Sequence, residues 1–196
     1  LSFVDSHMLP ALTVLDPELT VGLPPKITAA TAMDALTHAI ESVMSIQRAP
    51  IPDALAKEAI KLIFENILTA VKDGTNIQAR SALLVASNMA GLAFNHSMVG
   101  VVHSVAHTVG AMFHVHHGMA NSIFLPYGME YNLEARAAEI ASLAPSMGLV
   151  NSGDPLVVAK KCIEAVKKLK IQMKEACGLP IGYSEVGVKE SDIPLI

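Results

Sequence analysis

The stretch SALLVASNMAGLAFNHSMVGVVHSVAHTVGAMFHVHHGMANSIFLPYGM, Ser81 to Met129, contains no Asp, Glu, Lys or Arg. It nevertheless holds six of the chain's eight histidines: His96, His103, His107, His114, His116 and His117. Unpaired charge is costly to bury, so a long uncharged segment belongs in an interior. Imidazole is the commonest metal ligand and titrates near neutrality. Concentrating it in such a segment points to a buried site rather than a solvated surface.

Working outward, the segment reads as helices. Ile77 to about Phe94 is apolar on most sides and is expected to be central. A further helix is expected over Val101–Phe113. Another opens at Gly118 and reaches Tyr131, with a kink expected at Pro126. Upstream, helical periodicity covers Thr28–Ser45 and Pro52–Lys72. In the second of these, Leu55, Ala59, Ile60, Ile63, Ile67, Leu68 and Val71 form one stripe, and Gly74 follows its end. Downstream, Glu134–Met147 and a long amphipathic Pro155–Cys177 complete the set. The tail after Gly178 reads as loop, and Ser191-Asp192-Ile193-Pro194 resembles a helix start that stops abruptly. Residues 1–22 differ. Leu12-Thr13-Val14-Leu15 is a short β-prone run before the turn signal Asp16-Pro17, and Leu23-Pro24-Pro25 then punctuates. One strand is no sheet, so this is read as the tail of a unit whose other strands lie outside the chain. The expected fold class is mainly α: a helical bundle over 23–196, truncated at its far end, with a residual N-terminal β-strand.

Composition agrees. Of 196 residues, 52% are apolar, 16% charged and 4% aromatic, with Ala, Leu and Met favouring helix. The net charge of −4 argues against nucleic-acid binding. The lysines from Lys160 to Lys174 read as a solvated helix face. Cys162 and Cys177 form no CxxC pair, and a reducing, cytoplasmic setting fits. Mean hydropathy is +0.44, yet no run of purely apolar residues is long enough to span a membrane.

Asp34 and His38 lie four apart within Asp34-Ala35-Leu36-Thr37-His38, on one helix face. His103 and His107 repeat the spacing. Each pair has a plainer reading, a local Asp–His hydrogen bond or satisfied core histidines. Asp34, His38, one His of the second pair and one His from the Gly118 helix start would supply one oxygen and three nitrogens, a shell suited to iron(II) or zinc. There is no HExxH, GxSxG, P-loop or GxGxxG motif.

These residues resemble the iron-containing (group III) alcohol dehydrogenase family. The resemblance rests on Leu23-Pro24-Pro25, Thr28-Ala29-Ala30-Thr31, and Asp34-Ala35-Leu36-Thr37-His38-Ala39-Ile40-Glu41. It continues through Gly100-Val101-Val102-His103-Ser104-Val105-Ala106-His107, His117-Gly118-Met119-Ala120-Asn121, Leu125-Pro126 and Tyr131-Asn132. It implies that the chain is the C-terminal metal-binding helical domain, with residues 1–22 the tail of a dinucleotide-binding α/β domain. It implies metal ligands Asp34, His38, His103 and His117, with Fe(II) expected and Zn possible. It places His107 near nicotinamide and substrate, either relaying a proton or shaping the pocket, and Leu19 beside the NAD or NADP cleft. Phe94, Met98 and Phe113 would line the substrate side or serve as plain core. The implied reaction is reversible NAD(P)-linked oxidation of a small alcohol to an aldehyde or ketone, in a homodimer. Two residues depart from the pattern: Ser104 stands where Gly is frequent, and His116 where Pro is. Two other readings are a non-catalytic helical metal-binding fragment and a lyase resembling dehydroquinate synthase, whose ligand set typically includes a Glu.

Overall fold

The computed structural model describes residues 10–196. Seven α-helices follow one another: α1 Pro25–Met44, α2 Pro50–Lys72, α3 Ile77–Ser97, α4 Val101–Phe113, α5 His117–Tyr131, α6 Leu133–Ala141 and α7 Pro155–Cys177. Prolines mark starts, since a residue without N–H loses nothing in a first turn: Pro25 opens α1, Pro50 opens α2 and Pro155 opens α7. Asn76 caps α3 and Asp154 caps α7 through side-chain oxygens. Gly178, in the left-handed region at φ 70°, ends α7. No helix of the described residues is long and apolar enough to cross a membrane.

The helix at the centre is α1, which buries 14 of its 20 residues. It packs against α2, α3 and α5. The expectation of a central α3 is corrected. Its fully buried apolar residues are Ala79, Ala86, Ala90 and Ala93, while Leu92 is exposed. Small residues on one side let α3 lie close to α1 and α2, with Leu83 and Met89 packed at the margin of the core. In α2 the expected stripe is in place: Ala59, Ile60, Ile63, Ile67 and Val71 are buried, with Leu55 and Leu68 at its margin.

Three further expectations change. No strand occurs among the described residues, and Leu12 and Val14 are largely exposed. A strand needs a neighbour's N–H and C=O groups, and Leu12–Leu15 has none here. The helix expected over Glu134–Met147 stops at Ala141 and resumes as a 3₁₀ turn, Ala144–Met147. Pro145 lacks an N–H and disfavours the helical conformation in the residue before it. The tail is partly ordered into 3₁₀ turns, Tyr183–Val186 and Glu190–Leu195. The Tyr183 hydroxyl ties it to α5 by donating to the Ala120 carbonyl at 3.1 Å.

Two buried cations hold connections in place. The Arg80 guanidinium donates to Gly74 O at 2.9 Å, Thr28 Oγ1 at 2.6 Å and Leu23 O at 3.2 Å, pinning the approach to α1 and the α2–α3 turn together. Helix α5 runs through Pro126. Lys170 of α7 donates to Ile123 O, on the turn before that proline, at 2.8 Å. Burial holds Lys170 down to about 8.

Candidate metal centre

Three helices converge on one point beside α1. Asp34 and His38 sit one turn apart on its face, as their spacing requires. Helix α4 brings His103, and the first residue of α5 brings His117. One ligand atom from each of these four residues lies within 4.8 Å of all the others. Individual separations are 3.4 Å from His117 Nε2 to Asp34 Oδ1, 3.9 Å from His103 Nε2 to the same oxygen, and 4.0 Å from His38 Nδ1 to Asp34 Oδ2.

Close backbone approach makes this convergence possible. A Cβ on Gly118 would stand 2.9 Å from the Ala30 carbonyl carbon and nearer still to its oxygen. Only a glycine lets the start of α5 press against α1, and that contact carries His117 to Asp34. Gly128 plays a similar part further along α5, where an added Cβ would overlap the Val102 side chain of α4.

The rings are stacked and locked. His38 lies against Phe94 at 4.3 Å between centroids and 19° between planes, and against His103 at 4.3 Å. His107 stacks on His117 at 5.1 Å, on the outer side of the group. Asn121, one turn beyond His117, is fully buried. Its amide nitrogen donates to Asp34 Oδ1 at 2.5 Å and lies 3.0 Å from His117 Nε2.

Electrostatics favour ligation. Burial holds the His38 imidazole down to about 4, with the Asp34 carboxylate only partly opposing. Burial also lowers His117, again against the pull of Asp34. Imidazoles kept neutral have lone pairs available for a cation without first releasing protons. His103 Nε2 is buried and has no hydrogen-bond partner among the described residues. An orphaned nitrogen beside a carboxylate and two other imidazoles is what a metal would satisfy, so the residues fit a divalent ion.

Not every residue singled out in the sequence joins. His107 is exposed and outside the four-residue group, although its ring borders it. His116 is the residue before α5, is exposed, and lies outside the four-residue group. His114 is exposed and caps α4 in the left-handed region at φ 55°. Leu19 stands 83% exposed in the 3₁₀ turn Pro17–Thr20 and does not reach the group. Of the three candidate lining residues, Phe94 touches the group, whereas Met98 is exposed with a positive φ of 65°. Phe113 packs in a small second core with Ala106 and Val109.

Two residues beside the site were given no role from the sequence. Asn121 bridges Asp34 and His117. Glu41 bonds the His103 ring at 2.6 Å. Glu41 follows Asp34 by seven residues, two helical turns, on an apolar stripe. A carboxylate in that position was the available signal.

Known proteins carry the same arrangement of segments. The chain is 42% identical over 187 residues to 1,3-propanediol dehydrogenase of Klebsiella pneumoniae, covering 95% of this chain and 47% of that protein. It is 40% identical over 194 residues to the NAD-dependent methanol dehydrogenase of Bacillus methanolicus, covering 98% and 50%. The crystal structure of a 1,3-propanediol oxidoreductase superposes with a TM-score of 0.87 at 42% identity, over 92% of this chain and 46% of that one. The chain thus spans about half the length of the relatives it matches. The sequence profile of the Fe-containing alcohol dehydrogenase family, C-terminal, matches residues 28–196, which takes in all four clustered side chains, and the chain belongs to that family.

Proposed function

We propose that this chain is the metal-binding half of an NAD(P)-linked alcohol dehydrogenase, with Asp34, His38, His103 and His117 holding a single divalent ion. Iron(II) is the preferred metal. The observation that carries the reading is the partnerless, buried Nε2 of His103 within a set of four ligand atoms all inside 4.8 Å of one another. A lyase of the dehydroquinate synthase type is disfavoured, because Glu41 spends its oxygens on Val102 N and on His103 Nδ1, the ring nitrogen opposite the one facing Asp34.

When bound, the metal supplies Lewis acidity toward an alcohol or carbonyl oxygen, and the nicotinamide accepts or returns the hydride. The chain's own residues do the rest. Asp34 would contribute one carboxylate oxygen, and His38, His103 and His117 one ring nitrogen each. Phe94 covers the flat side of His38 and keeps water from that ligand. His107, exposed and stacked on His117, stands where it can exchange a hydroxyl proton with solvent. Residues 1–22 lead in from a nucleotide-binding half, with Leu19 at the cofactor cleft. The names of the relatives favour a small primary alcohol as substrate. A homodimer in a reducing, cytoplasmic setting completes the proposal, and the free thiols of Cys162 and Cys177 accord with it.

The test is elemental analysis of the full-length protein purified without oxygen, followed by a panel of alcohols with NAD and NADP. One ion per chain and cofactor-dependent turnover are expected, both lost in His103→Ala. Full metal content and full turnover in His103→Ala would refute the ligand assignment.

A further inference from the structure

We infer that Glu41 is the positioning residue of the metal centre: it sets the orientation and the tautomer of His103 while itself staying out of the ligand set. The inference rests on the metal-site reading above and adds to it.

Glu41 is 2% exposed and lies at the junction of α1 and α4. Helix α4 begins with Gly100, which has no side chain to cap it. Glu41 supplies that cap from another helix. Its Oε1 accepts from Val102 N at 2.8 Å, and its Oε2 from His103 N at 3.3 Å. An acceptor carrying negative charge at a helix N-terminus is favoured by the exposed N–H groups and the dipole. Gly100 also makes room, since a Cβ there would stand 2.8 Å from Oε1.

The same Oε2 lies 2.6 Å from His103 Nδ1. One oxygen therefore receives both the main-chain and the ring N–H of a single residue, which leaves the ring no freedom to turn. In a neutral ring, a carboxylate oxygen facing Nδ1 places the proton there and leaves Nε2 a bare lone pair. Nε2 is the buried, partnerless nitrogen that stands 3.9 Å from Asp34 Oδ1. Among the described residues no Lys or Arg pairs with Glu41, so the His103 ring and the α4 start are what it serves. A carboxylate behind a ligating imidazole fixes its direction and raises its basicity.

The experiment uses the full-length protein, first metal-free. Nitrogen-15 spectra of histidine-labelled wild type are expected to place the His103 proton on Nδ1. Glu41→Gln sets an amide donor among three N–H groups. It is expected to move the proton to Nε2 and to weaken Co(II) binding about 10- to 100-fold, read by competition with a chelator. Glu41→Asp, which keeps the acceptor, is expected to retain the Nδ1 proton. Wild-type His103 protonated on Nε2 would overturn the inference whether or not the variants fold. Co(II) affinity in Glu41→Gln within twofold of wild type would overturn it too, since a cap alone would alter stability and leave the tautomer untouched. Failure of the wild type itself to bind Co(II) would instead strike the metal-site reading.

Discussion

Replacing Gly118 by Ala tests how the centre is assembled without touching any ligand. The new methyl would meet the Ala30 carbonyl carbon at 2.9 Å and Asp34 Cβ at 3.4 Å. Carbon atoms rest at roughly 3.5–4.0 Å from one another, so the start of α5 must withdraw by about 0.5–1 Å. Helix α1 cannot yield instead, because the groups in the way are backbone and 14 of its 20 residues are buried. Overpacking of this kind costs about 1–3 kcal/mol. At about 2–4 °C per kcal/mol for a domain of this size, Tm falls by roughly 2–12 °C. His117 is adjacent and moves with the backbone. Metal–ligand distances tolerate only about 0.2 Å, so metal affinity falls at least about tenfold. Gly91 in α3 is the control, since a Cβ there meets nothing within 4 Å. Gly91→Ala is expected to gain about 0.5–1 kcal/mol and leave metal binding unchanged. Thermal unfolding of the metal-free protein and chelator competition measure both quantities. A Gly118→Ala protein with wild-type Tm and affinity would refute the close-approach argument, as would an equal loss in Gly91→Ala.

Other outcomes follow from the same geometry. His103→Ala removes a buried ligand and its link to Glu41, and metal analysis should find the site empty at stoichiometric iron or zinc. Lys170, held down to about 8 from 10.5, binds its proton less readily folded than unfolded. Stability should therefore rise with pH between about 8 and 10.5, by at most about 3 kcal/mol, and Lys170→Met should flatten that rise in a Tm-against-pH series. Arg80→Met breaks three hydrogen bonds and strands the carbonyls of Leu23 and Gly74. An unfolding free energy lower by about 2–4 kcal/mol, read from a denaturant titration, is expected, with metal affinity little changed.

The boundaries of α4 and α7 were readable because their punctuation is local. Gly100 precedes the one, and Pro155 and Gly178 bracket the other. The pairing of Asp34 with His38 on α1 was equally readable, since a spacing of four on a helix sets two side chains on one face whatever surrounds it. Beyond that, local information ran out. His103 and His107 have the same spacing on the same helix, and periodicity treats them alike. His114, His116 and His117 crowd one turn, and only resemblance singled out the last. The Leu12–Leu15 strand failed for a related reason, because β propensity has no effect without a partner to bond. Glu41 was visible as a carboxylate on an apolar stripe, yet nothing in the order of residues said which donors would meet it.

What the chain determined by itself was a set of amphipathic and apolar helices, since helical period acts within a few turns; lack of charge did not by itself bury the histidine-rich segment, where His96, His107, His114 and His116 are exposed. Which imidazoles face one another was decided by tertiary structure. It depends on where α5 meets α1 and α4, and on contacts distant in sequence: Gly118 against Ala30, Gly128 against Val102, and Glu41 of α1 at the start of α4.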